Sequence, residues 1–420
     1  MILFGVICPE HCIPPFYDSI MLSDDTKKQF PLFGLILYNY YKKPNYERGI
    51  FMNSFEKIQR CFDLTPPSDR RDIPVYPMML LYPGKVAGFT QKEITTDMDK
   101  WLQALDITFQ KIGTPDLCQG NPPGDVMFLQ GIEALRPGFE LDDDASYQFK
   151  ETCHMDVEDY RDIVENGWLQ WYNRYLCSIQ HPPIAPGPEI GQLWMRVGMN
   201  AGKVGAWLAQ RGVSPIHGSA SGTPFDTLSM VRSFGEFIYD LYDEPDLVKA
   251  AIDKGTPEVL GNILGALEHS PLKRASLYAM RSDANAISPA IFEEFSWPSL
   301  KAIILGLHDA GVQVVLHADG NWLPMLPKLL ELPKGSTLVE LDGVTDIHAA
   351  YDILKGWQPI RGDVPATMLA FGTPDQVSAY CEDLIQMSMA AGGLVLGSGC
   401  EVPLNCKLEN LKAMMDSVRG

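Results

Sequence analysis

The sequence predicts an α/β protein built on a parallel sheet. Three observations predict it. From about residue 275 onward, short apolar runs alternate with longer amphipathic ones, five times in succession. Turn residues punctuate the change from one kind to the other. The first strand candidate, IPVYPMML (73–80), is a continuous apolar run. Strand–helix units in series give parallel strands with right-handed crossovers. A closed barrel and a doubly wound open sheet both satisfy the pattern. No GxGxxG opens any of the helices, which counts against a dinucleotide fold.

The five units are ordered. ASLYAM (275–280) precedes a helix over 289–311, VQVVLH (312–317) one over 324–331, and STLVEL (336–341) one over 346–355. QPIRG (358–362) precedes a helix over 374–390, and GLVLGSG (393–399) one over 408–418. Upstream, IPVYPMML (73–80) reads as the first strand, residues 92–113 as a helix, and DVMFLQGI (125–132) as another strand. Residues 156–176 have an acidic first turn and a helical stripe, and Gly212 closes a helix over 188–212. Two more helices are expected between about 225 and 270. Met52 opens an amphipathic helix and a Pro-rich turn, so the domain is expected over 52–420. Residues 1–51 carry Pro9, Pro14, Pro15 and Pro44 without a clear period. They read as an N-terminal extension, an ordinary subdomain or a misread start.

A chain of 420 residues is long for one domain but within the range of α/β barrels with insertions. The net charge of -19 repels phosphate backbones and anionic lipid, which argues against nucleic-acid and membrane partners. No apolar run approaches a membrane span, and Glu10 and His11 interrupt the first apolar stretch, which lacks a basic flank. The nine cysteines are scattered and form no CxxC pair, which fits a reducing compartment. The expected location is cytoplasmic.

In an α/β barrel the active site gathers where the strands end. The strand ends here carry Arg281, Ser282 and Asp283, then His317 and Asp319, then Glu340 and Asp342, then Arg361 and Asp363, then Ser398 and Cys400. Residues 317 and 319 share one side of an extended segment. With Cys400 from another strand they supply three zinc-type ligands and leave a fourth position open, as catalytic sites do. The competing reading is a buried His–Asp pair beside a small apolar cysteine. Arg281 is placed to pair with Asp283 or to hold a substrate carboxylate, and Arg361 is similar. His217, in PIHGSASGTPFD (215–226), reads as pocket floor or surface loop. Residues 134–160, with Asp142–Asp144, read as a lid or a solvated turn.

VVLHADGN (314–321), IRGDVPATMLAFGTPDQV (360–377) and GGLVLGSGCEVPLNCKLENLKAM (392–414) resemble the uroporphyrinogen-decarboxylase superfamily, in order and at similar spacing. MNSFEKIQRCFDLTPPSDRRDIPV (52–75) resembles that family's opening. The resemblance implies a single (β/α)8 TIM barrel with an N-terminal extension. True decarboxylases carry an arginine-rich segment like MRQAGRYLPEY. The equivalent YPMMLLYPGKVAGFT (76–90) has Lys85 and no arginine. That points to the branch of corrinoid-dependent methyltransferases, including methylcobalamin:coenzyme M methyltransferases. In that branch zinc is bound by His-x-Cys and a distant Cys. His317 and Cys400 match, and Asp319 stands where the middle Cys would be. A carboxylate in place of a thiolate makes a harder Lewis acid, suited to an oxygen substrate.

The implied activity is a zinc-dependent transfer of a methyl group between a small O-methyl compound and a corrinoid protein. The chain has no DxHxxG, so the corrinoid is expected in trans. The implied metal ligands are His317, Asp319 and Cys400. Glu340 and Asp342 are the candidate catalytic, proton-handling groups, and Arg281, Asp283, Arg361 and His217 the candidate substrate contacts. Decarboxylation of a porphyrinogen or smaller polycarboxylate, and a non-catalytic ligand-binding barrel, are the alternatives.

Overall fold

The computed structural model describes residues 53–268 and 270–419, so the expected extension over 1–51 lies outside the described residues. Eleven strands are present among the described residues: β1 Val75–Met78, β2 Leu117–Cys118, β3 Ala134–Leu135, β4 Gln148–Phe149, β5 Ser214–Pro215, β6 Ser219–Gly222, β7 Arg274–Tyr278, β8 Gln313–Ala318, β9 Thr337–Leu341, β10 Ile360–Val364 and β11 Leu394–Glu401. Seven of them form one parallel sheet in the order β1-β11-β10-β9-β8-β7-β6.

The two edges of that sheet are joined. β5 pairs in parallel with β2. Three residues separate β5 from β6, and they bridge: Ile216 N donates to Cys118 O at 2.9 Å, and Gly218 N donates to Arg274 O at 2.8 Å. On the other side of β2, Asp116 N donates to Val75 O at 3.1 Å. β5 and β6 are thus two pieces of one barrel strand, 214–222. Eight strand positions make a closed ring with no free edge. Closure decides between the two folds that the sequence allows.

Downstream of residue 274 the elements fall within a few residues of expectation. Upstream, three segments differ. The expected strand 125–132 is a helix, Pro123–Leu129. Pro123 sits in its first turn, where a missing N–H costs nothing, and Asp125 favours the same end. The true strand, β2, has two residues and leaves no periodic signal. The expected helix 92–113 divides at Asp97, whose carboxylate accepts from Asp99 N and Lys100 N and starts a second helix. The helix 156–176 breaks at Gly167, with φ 101°. Between 225 and 270 there are three helices, Pro224–Val231, Phe234–Asp243 and Pro245–Leu267. No helix among the described residues is long and apolar enough to cross a membrane.

Strand register sets the site. Tyr278 is opposite His317, His317 opposite Glu340, and Glu340 opposite Arg361. Four polar residues from four adjacent strands therefore stand at one level of the ring.

Asp363, two residues past Arg361, faces another way. It is 2% exposed and accepts from Tyr380 Oη at 2.6 Å. Burial pushes its carboxyl up to about 6. The folded chain holds that proton more tightly than the unfolded chain does. The stabilisation is complete below the ordinary carboxyl pKa of about 4 and is lost as pH rises through the folded value. The full difference is on the order of 3 kcal/mol. Asp363→Asn should flatten this part of the stability curve, measured as urea midpoints between about pH 4 and pH 7. Parallel curves for the two proteins would contradict it.

Candidate metal centre

His317 leaves β8 pointing into the mouth of the barrel, and Asp319 follows one residue after the strand ends. Cys400 comes from the end of β11. Their ligand atoms lie within 4.8 Å of one another. His317 Nε2 is 3.2 Å from Asp319 Oδ1 and 3.9 Å from Cys400 Sγ. A tetrahedral zinc site with ordinary bond lengths has edges of about 3.3–3.7 Å. Asp319 Oδ1 is buried and makes no hydrogen bond among the described residues; it meets His317 Nε2 as an ion pair only. A buried carboxylate oxygen without a hydrogen bond is incompletely compensated. One cation placed between the three donors completes that compensation. A nitrogen, an oxygen and a sulfur at this spacing fit a zinc-type ion, with a fourth position open.

The other imidazole nitrogen is fixed. His317 Nδ1 lies 2.9 Å from Glu340 Oε2, so a proton on Nδ1 leaves Nε2 free to bind a cation. Glu340 is held in turn by Arg361, Nε to Oε1 at 3.8 Å. Arg361 is fully buried and also donates to Gly399 O, Tyr76 O and Ser398 Oγ. Burial alone would pull His317 down, but Asp319 first, with Cys400 and Glu340, outweighs it and holds its pKa well above the ordinary value. Burial alone would raise both carboxylates. The His317 charge outweighs it at Asp319, and Arg361 followed by His317 outweighs it at Glu340. The cluster is built to keep a positive charge among its acceptors.

The remaining sequence candidates take other places. Asp342 accepts from Gly320 N at 2.8 Å and Val344 N at 2.9 Å, and burial raises its carboxyl. It shapes the turn that follows Asp319. Gly320 has φ 84°, and a Cβ there would lie 2.4 Å from the Asp283 carboxylate. Asp283 accepts from Asn285 N and Asn321 N, so it too secures this turn. Arg281 does not pair with Asp283; it meets Glu151. Arg361 is fully buried inside the barrel, against Glu340, Gly399 O and Ser398 Oγ, and is not exposed at the mouth. His217 is buried at the break between β5 and β6, with Nδ1 2.7 Å from Ser276 Oγ, and burial pulls its pKa down to about 4. It is a neutral group of the barrel floor.

Three residues at the site escape the sequence analysis. The Tyr278 ring meets His317 edge to face, at 5.9 Å and 88°. Glu401 follows Cys400, accepts from Leu81 N at 2.8 Å, and is pushed up to about 7 by burial. Tyr147 Oη donates to Glu401 Oε2 at 3.4 Å. Strand register would have singled out Tyr278. Nothing local would have singled out Tyr147.

The family model for uroporphyrinogen decarboxylase (URO-D) matches residues 210–420. The chain belongs to the URO-D family. All three metal-type ligands of this URO-D member lie inside the matched half. No curated protein matches the sequence. A solved structure of a methyltransferase from Methanosarcina mazei is similar in fold, with a TM-score of 0.62 at 16% identity, covering 88% of this chain and 99% of that one. The coverage extends the likeness well beyond the matched half, and at this identity it concerns the fold of the URO-D barrel.

Proposed function

We propose that this URO-D barrel is a zinc-dependent methyltransferase that moves a methyl group between a small O-methyl substrate and a corrinoid protein supplied in trans. The observation that carries the reading is the convergence of the buried Asp319 Oδ1, which makes no hydrogen bond, with His317 Nε2 and Cys400 Sγ. A zinc ion held by these residues would polarise the substrate oxygen and improve it as a leaving group. Glu340 fixes the imidazole tautomer, and Arg361 fixes Glu340. Asp342 and Asp283 hold the turn that carries Asp319, so their part is positioning. Tyr278 offers a phenol beside His317 for a substrate's polar atom. Cys400 must stay reduced to act as a ligand, which agrees with a cytoplasmic setting.

Decarboxylation of a polycarboxylate is the weaker reading, for a specific reason. Its clamp would need Arg136, Arg281 and Arg361. Arg136 makes two hydrogen bonds to the Glu140 carboxylate, Arg281 two to Glu151, and Arg361 is sealed against Glu340.

The test incubates the zinc-loaded protein with cob(I)alamin and a panel of methoxylated small molecules, and follows corrinoid methylation by its visible spectrum. Methylation that disappears in Cys400→Ala is the expected result. No methylation with any member, together with release of carbon dioxide from a porphyrinogen, would overturn the proposal.

A further inference from the structure

Residues 136–155 run across the open end of the barrel. The near end rests on the helix Gln91–Thr96, where Lys92 N donates to Asp143 O at 3.0 Å. The middle reaches β11 through Tyr147 Oη and Glu401. Beyond it β4 pairs with β3, Lys150 N donates to Glu133 O at 2.8 Å, and the Glu133 carboxylate meets Lys150, Thr152 and His154. The far end is also held past β7. Glu151 accepts from Arg281 Nη2 at 2.5 Å and Nη1 at 3.3 Å, and from Phe234 N at 2.6 Å. His154 N then donates to Val231 O at 2.8 Å.

β11 and β7 are four places apart in a ring of eight, so they stand opposite each other. Four residue steps separate Tyr147 from Glu151, at most about 14 Å of extended chain. A segment that short, reaching both sides through the side chains of Tyr147 and Glu151, spans the mouth between them. The metal ligands come from β11 and from β8, the neighbour of β7, so they lie below that crossing.

The two ends of the crossing are unequal. Arg281 is anchored on the barrel, through Ser229 O at 2.8 Å and the face of Phe234 at 5.3 Å. Glu151 is half exposed. An ion pair open to solvent on one side is weak, and can therefore be broken and remade. Tyr147 is different. Its side chain is partly buried against the core, and its phenol donates to Glu401, the neighbour of Cys400.

We propose that residues 136–155 form a strap that closes over the metal centre, with the Glu151–Arg281 pair as its latch and Tyr147 as the side chain it lowers against the centre's open side. In the closed form Tyr147 and Tyr278 would shield from water an ion held by His317, Asp319 and Cys400. With the latch released, the mouth is open to substrate and to a protein partner. That role in admitting reactants rests on the methyl-transfer reading; the closure itself does not.

The test is the rate at which iodoacetamide alkylates Cys400 in the full-length protein dialysed against EDTA, read by peptide mass spectrometry. Glu151→Gln should alkylate about fivefold faster at Cys400, the ratio expected from losing a half-exposed ion pair. Tyr147→Ala should do the same. Buried Cys61 and Cys381 report on the rest of the fold and should keep their rates. The swap Glu151→Arg with Arg281→Glu should bring Cys400 back towards the wild-type rate. An unchanged Cys400 rate in both single variants overturns the proposal. So does equal acceleration at Cys61 and Cys381, or a swap that restores nothing. Zinc content of the undialysed preparations separates the two claims. A protein that never holds zinc but shows the Cys400 pattern keeps the strap and loses the methyltransferase.

Discussion

Glu340→Ala should unfold at a markedly lower urea concentration than the wild type, with a loss of about 3–5 kcal/mol. Glu340 is 4% exposed and Arg361 is fully buried, so the variant leaves a guanidinium inside the barrel without its counter-charge. Removing one partner of a buried pair costs far more than the pair contributes, because the other charge keeps its desolvation penalty. The carbonyls of Tyr76 and Gly399 solvate Arg361 only in part. A second effect follows at the metal centre. Without the carboxylate at Nδ1, His317 is free to rotate and to exchange tautomers. Losing such an outer partner weakens metal binding by about 10–100-fold. The two effects separate in Glu340→Leu with Arg361→Met, which removes both charges at similar volume. That protein should regain most of the stability and none of the metal affinity. If Ala at 340 prevents folding, Glu340→Gln carries the same test. A wild-type urea midpoint in Glu340→Ala would show that the pair does not hold this part of the barrel together.

The sequence carries one half of the barrel clearly. From residue 275 each strand is buried on both sides and each helix is amphipathic, so period and punctuation agree. The other half is obscure for a physical reason. β2 and β5 have two residues each, and their hydrogen bonds are made largely by flanking residues such as Asp116 and Ile216. A strand that short has no period, and the apolar run over 125–132 next to it misleads. The convergence of His317, Asp319 and Cys400 is legible because they sit at strand ends, where an α/β barrel places its chemistry. Their supports are harder to read. The sequence puts Arg361 near a strand end, but it is the second residue of β10, and only the register shows that it faces Glu340 inside the barrel. Arg281 and Asp283 are three and five residues past β7, and nothing in the sequence tells that one reaches Glu151 and the other two backbone amides. Tyr147 arrives from a crossing segment far away in the chain, and contacts of that kind leave no local trace.

The second large effect concerns the ligands themselves. Each supplies one atom, and no other His, Cys, Asp or Glu among the described residues completes the cluster. With two donors left, a zinc ion loses much of its affinity, since open positions filled by water bind it weakly. His317→Ala also leaves Glu340 without its imidazole partner, whereas Cys400→Ala removes a sulfur at the edge of the barrel mouth and should leave stability nearly intact. The loss of metal is therefore separable from loss of fold in the Cys400 variant. Asp319→Ala should bind zinc weakly for the same reason, and Asp319→Cys should bind it more tightly, because a thiolate is the softer ligand.

Elemental analysis of the purified protein beside His317→Ala and Cys400→Ala tests the central claim most directly. The account predicts about one zinc per wild-type chain and almost none in either variant, with Cys400→Ala still folded. A wild-type protein that stays free of metal when offered zinc would contradict it, and would leave His317, Asp319 and Glu340 as a buried ion-pair network.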